Sequence, residues 1–70
     1  MFREPVVSTS IVSIGFDADN AMLEVEFVTG SVYRYRNVEE DVFERLLDAP
    51  SKGTFFNENI RDAYLCERVQ

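Results

Sequence analysis

The sequence contains no histidine and a single cysteine, Cys66. A lone cysteine excludes a disulfide within the chain, and with no second soft ligand a zinc site cannot be assembled from this chain. Catalysis fares no better, because an activated nucleophile needs a positioned base, and Cys66 sits in the tail without an obvious one. Glu24 and Glu26 are a carboxylate pair, but surface ion pairing is the simpler use for them. No enzyme activity, cofactor or metal is expected. There is no apolar run approaching the ~18 residues of a membrane span. Met1-Phe2-Arg3-Glu4-Pro5 also lacks the apolar segment of a signal peptide. The expectation is a soluble, unprocessed protein of the reducing cytoplasm, without membrane contact.

Basic residues are scarce: seven against thirteen acids, a formal charge of −6. That balance repels phosphate backbones at long range unless the cations are gathered on one face. It also suits a basic protein surface, and it is an ordinary way for a small domain to stay soluble. Seventy residues predict one domain, residues 1–70, with a net stability of roughly 3–5 kcal/mol.

What the chain does contain is sheet first and helix second. Residues 1–8 have no period, and Pro5 argues for an extended lead-in rather than a regular element. From Thr9 to Asp17 the alternation is that of a strand, with Val12, Ile14 and Phe16 on the core face. Asp17-Ala18-Asp19-Asn20 supplies a turn. A second strand, Ala21 to Val28, turns Leu23, Val25 and Phe27 inward. Setting Phe16 opposite Ala21 brings Ile14 to Leu23 and Val12 to Val25, so the apolar faces coincide.

The third strand is the centre of the chain: Ser31-Val32-Tyr33-Arg34-Tyr35-Arg36. A two-residue loop at Thr29-Gly30 would mix its faces, whereas a three-residue loop with left-handed Gly30 sets Val25 opposite Tyr33 and Glu24 opposite Arg34. A loop shifted along the chain instead pairs Glu26 with Arg34 and Glu24 with Arg36. In both arrangements the tyrosines face the core. Asn37 is a predicted N-cap, completed as a capping box by Glu40, for a helix over about 38–49 whose stripe is Val42, Phe43, Leu46 and Leu47. Pro50 stops it. Ser51 caps a second helix from Lys52 to about Asp62, with Phe56, Ile60, Ala63 and Tyr64 on one side, although Gly53 disfavours helix in its first turn. Residues 64–69 lean toward a last short strand. The predicted fold is α+β: three antiparallel strands, two helices on one face and a possible C-terminal strand.

Tyr33-Arg34-Tyr35 behind a strand and Gly30, Ser10-Ile11 ahead of Gly15-Phe16-Asp17, Ala49-x-Ser51-Lys52-Gly53, and Phe56-Asn57 with Ile60-Arg61 and Tyr64 together resemble the KTSC domain. This family occurs at the C-terminus of some lysyl-tRNA synthetases and as stand-alone bacterial or phage proteins. The resemblance covers most of the chain. It implies a small domain with no established activity, for which the fusion partner points to RNA binding.

Two groups of residues are candidate sites. Tyr33 and Tyr35 form either a stacking platform for bases or the centre of the core, and their shared parity with Val25 favours the core. They are predicted to be buried together with Leu23, Val25, Phe27, Phe43 and Leu47. The second group, Ser51, Lys52, Gly53, Asn57, Asn59 and Arg61, has no place in the core pattern, and Arg34 is a further candidate cation. At a helix N-terminus, Ser51-Lys52-Gly53 is placed to hold an anion, although capping and loop fastening account for the same residue types. A contiguous patch of Lys52, Arg61 and Arg34 favours nucleic acid, and dispersal of these cations among carboxylates favours a protein. The charge balance ranks a protein partner first and leaves the oligomeric state open.

Overall fold

The computed structural model describes residues 2–70. It contains β1 (Arg3–Pro5), β2 (Ile11–Asp17), β3 (Met22–Phe27), β4 (Val32–Arg36), α1 (Glu40–Asp48), α2 (Lys52–Asn59) and β5 (Cys66–Arg68). The strands form one antiparallel sheet in chain order, with both helices inserted between β4 and β5. The α+β class is as expected, but the strand count is corrected from three, with a possible fourth, to five. The tail does pair, along β4. Arg3–Pro5, expected to be irregular, pairs along β2. Proline is tolerated there because β1 is an edge strand and Pro5 ends it.

The β2–β3 register departs from the expected one by two residues, Phe16 meeting Leu23 and Ile14 meeting Val25, so the facing of these residues is preserved. The Asp17 carboxylate accepts N–H bonds from Asp19 and Asn20, at 3.1 and 3.3 Å, which fixes the turn. Val12 is a correction. A bulge between Ile11 and Ser13 inserts one extra residue, leaving Ile11 1% exposed in the core and turning Val12 outward at 40%. The β3–β4 hairpin follows the three-residue loop: Val25 faces Tyr33, Glu24 faces Arg34, and Gly30 takes φ +95°.

The first helix starts later than predicted. Asn37 does not cap it; its φ is 59°, a left-handed conformation asparagine tolerates, and Glu39 stands at the N-cap without a side-chain bond. The reason lies in Val38, which is fully buried and donates its N–H to the Ala21 carbonyl at 2.9 Å. Placing Val38 in the core turns the chain at Asn37, and this outweighs a capping bond of about 1 kcal/mol. Ala49 is extended before Pro50, as expected. The Ser51 hydroxyl accepts the Thr54 N–H and so caps α2, which ends at Asn59, short of Asp62. Leu46, Phe56 and Ile60 bring both helices into one core with Ile14, Leu23, Val25 and Tyr35. Among the described residues no helix is long and apolar enough to cross a membrane.

The opposite face of the sheet carries a polar row across all five strands: Arg3, Gly15, Glu24, Arg34 and Glu67 are neighbours in register. Gly15 is the gap in that row. A Cβ there would lie 2.6 Å from the Phe2 carbonyl oxygen and 2.9 Å from Arg3 Cγ, so its absence lets Arg3 reach across β2 to Glu24. Glu24, only 5% exposed, accepts from Arg3 at Oε1 and from Arg34 Nη2 and Nε at Oε2, at 2.9 and 3.2 Å. The shifted pairing does not occur: Glu26 accepts from the Ser13 hydroxyl at 2.8 Å, and Arg36 bonds Glu67 at 2.8 Å.

Burial pushes the Glu24 carboxyl up, but hydrogen bonds from Arg34 and Arg3, together with their charges, outweigh it and hold the pKa below its ordinary 4.5. A depressed folded-state pKa means that this stability is present above 4.5 and drains as pH falls through the folded value. Glu24→Gln is expected to cost on the order of 2 kcal/mol at neutral pH and to flatten the acid limb of the stability curve. Urea melts of both proteins at neutral pH and below 4.5 check this. Equal acid sensitivity in the two proteins contradicts it.

Candidate functional site

The helices leave part of the core face open. Between the β3–β4 hairpin, α2 and the start of β5 lies a cleft of about 580 Å³. Its floor is aromatic. Phe27 meets Phe56 edge-on at 5.3 Å between ring centres and Tyr33 at 5.9 Å, and Phe56 meets Tyr35 edge-on at 5.4 Å. These T-shaped contacts follow from strand alternation, which sends Tyr33 and Tyr35 to the face that α2 covers.

Tyr35 belongs to the core and the cleft at once. It is only 4% exposed, yet its hydroxyl makes no hydrogen bond to another described residue. No fully buried side-chain polar atom among the described residues lacks a partner, so this hydroxyl reaches the cleft surface. Burial pushes its pKa up to about 12; negative charge on Cys66 and Tyr33 acts in the same direction, and Arg61 opposes them. Tyr33 is only half-buried, as are Phe27, Phe43 and Leu47, which corrects the burial predicted for them.

The sequence-predicted cluster divides. Gly53, Asn57 and Arg61 line the cleft. Ser51 does not; its hydroxyl is committed to Thr54. Lys52 also lies outside the lining and donates from Nζ to the Ala49 carbonyl at 3.1 Å, closing the turn between the helices. Asn59 bonds back to the Phe55 carbonyl at 3.1 Å. Arg34 is on the other face of the sheet, held by Glu24, and is not brought together with Lys52 or Arg61. Gly53 has a steric reason to be glycine, since a Cβ there would sit 2.7 Å from the Ser10 hydroxyl oxygen. The first turn of α2 therefore passes close against Ser10, the residue preceding β2, and both residues line the cleft.

The remaining lining was not singled out from the sequence as a site. Ser10 stands there just before the bulged start of β2 and Cys66 through the β5 pairing, neither of which is written in local periodicity, while Ser31 comes from the β3–β4 turn and Asp62 from the chain after α2. Among the lining residues Arg61 is the one cation and Asp62 the one carboxylate. Arg61 is exposed and makes no ion pair among the described residues. Neither the cleft nor any other part of the described chain holds three His, Cys, Asp or Glu side chains placed to share a metal ion.

Tyr35 yields a sign-definite expectation. Between its ordinary 10.0 and about 12 the unfolded chain has lost the Tyr35 proton while the folded chain keeps it, so stability falls as pH rises through that window. Tyr35→Phe should remove this component of the alkaline fall. Tyr35→Ala should cost about 3 kcal/mol or more near neutral pH, because its ring fills the core beside Phe56. Denaturant melts measure both, and a loss below about 1 kcal/mol for the alanine variant would contradict the packing described.

The family model of the KTSC domain matches residues 7–64. An uncharacterised protein of Stutzerimonas stutzeri is 43% identical over 58 residues, covering 83% of this chain and 82% of that protein. The crystal structure of a KTSC domain protein from Yersinia pestis superposes with a TM-score of 0.96 at 40% identity, over 99% of this chain and 97% of that one. A lysine–tRNA ligase of Nostoc punctiforme is 37% identical over 59 residues, which are 84% of this chain and 10% of the ligase. With the family model spanning β2 through α2 and the whole fold matched in a solved member, this chain belongs to the KTSC domain family.

Proposed function

We propose that this domain is a non-catalytic binding module that engages a protein partner through the cleft between β3–β4 and α2. The observation that carries the reading is the disposition of its cations. Arg3 and Arg34 are tied to Glu24, Arg36 to Glu67 and Arg45 to Asp41. Lys52, Arg61 and Arg34 form no common patch, which supports a protein partner over a phosphate backbone needing several cations in line. The aromatic floor supplies apolar area of the kind that anchors protein interfaces. A cytoplasmic setting goes with this reading, because Cys66 is exposed on β5 and stays a thiol where the surroundings are reducing.

A second reading, RNA binding, is supported by the matching segments of lysine–tRNA ligases from Nostoc punctiforme and Trichormus variabilis. Affinity capture from host lysate, with and without nuclease, separates the two. A discrete protein that survives nuclease and is lost with Arg61→Glu is the expected result. Nuclease-sensitive RNA or DNA, lost with Lys52→Glu and Arg61→Glu, would overturn it.

A further inference from the structure

The chemistry of the cleft narrows the kind of protein segment it can take, if the binding reading above holds. The floor of Phe27, Tyr35 and Phe56 accepts an apolar side chain, and their edge-on contacts set its shape before any ligand arrives. At the rim stands Arg61, exposed and without an ion pair among the described residues, with Asp62 next to it. One guanidinium can take one carboxylate, in a paired geometry suited to it. Asp62 repels a second negative charge, so a polyanion is disfavoured and a singly charged group fits.

The neighbouring edge of the sheet supplies the rest. β5 is an edge strand. Arg36 donates its N–H to the Leu65 carbonyl, and Val69 donates to the Val32 carbonyl, both toward β4. In an antiparallel ladder the alternate residues then direct their N–H and C=O groups away from the partner strand. Cys66 and Arg68 are those residues, and Cys66 also lines the cleft. A chain laid along this edge would hydrogen-bond at Cys66 and Arg68, and the side chain of its residue opposite Cys66 would lie on the cleft face. No proline blocks β5, in contrast to β1 at the other edge, which ends in Pro5.

From this geometry we infer that the cleft receives the extended carboxy-terminal end of a partner polypeptide, with an apolar side chain beside Cys66 against the Tyr35 edge of the aromatic floor and its terminal carboxylate on Arg61. Main-chain pairing with β5 orients the segment, and the single cation makes the chain end, rather than an internal acidic run, the preferred anion.

The test uses the full chain and two pools of amino-terminally fluorescein-labelled hexapeptides ending in Phe, Leu or Val and otherwise randomised. One pool carries a free carboxylate and the other a carboxamide. Anisotropy should show the free-acid pool binding about tenfold or more tighter than the amidated pool, and Arg61→Gln, an exposed change that leaves the core intact, should erase the difference. Binding of both pools alike, with amide resonances of Tyr35 and Asn57 shifting, would overturn the carboxylate inference and leave the protein-binding cleft standing. Binding of neither pool would also overturn it. If a single-stranded RNA 12-mer shifts those same resonances while the peptides do not, the inference and the protein-binding reading fall together.

Discussion

Cover of the sheet is the constraint on which this structure turns. Five strands about 4.8 Å apart span about 19 Å between the outer strand axes, whereas helices of nine and eight residues are about 13 and 12 Å long. Two such helices can bury the centre of one face but not its margins. The chain responds differently on its two faces. The outer face is closed by charge, through the row from Arg3 over Gly15 to Glu24 and Arg34. The inner face is closed by apolar side chains only as far as the helices reach, and the cleft runs along the flank of α2, from Gly53 past Asn57 to Arg61.

That incomplete cover explains why the central residues have two roles. Phe56 and Tyr35 are core residues, yet their neighbours Phe27 and Tyr33 are half-buried and line the opening. A rigid apolar floor is thus obtained without a dedicated pocket, from residues the fold needs for its stability. The polar groups around it come from two stretches far apart in sequence: Ser10 before β2, and Asn57 with Arg61 on and just after α2. The missing side chain of Gly53 is what lets α2 approach Ser10 this closely.

Much of this was legible in the residues. Parity placed Tyr33 and Tyr35 on the core face in either loop arrangement, the structure chose the pairing with Val25 and Leu23, and Ser51 announced the start of α2 through its capping chemistry. The misses have physical causes. Val12 faces outward because a bulge is a tertiary accommodation with no periodic signature, and Asn37 fails to cap because burying Val38 outweighs a capping bond. Strand β1 was hidden by brevity and by Pro5, since a three-residue edge strand draws its hydrogen bonds from β2 rather than from its own propensity. The pairing of Arg34 with Glu24 was one of the two expected registers, but the second clamp on Glu24 from Arg3 across Gly15, and the place of Arg61 unpaired at the cleft among the described residues, appear only when the strands are brought side by side.

The proposed function requires that a partner engage the cleft beside α2 and not the charged outer face. Backbone amide shifts recorded as a captured partner is titrated onto the whole domain test it most directly. The account predicts shifts concentrated at Ser10, Tyr33, Gly53, Asn57, Arg61 and Cys66, with Arg3, Glu24 and Arg34 unchanged. Shifts concentrated on Arg3, Glu24 and Arg34 instead would contradict it.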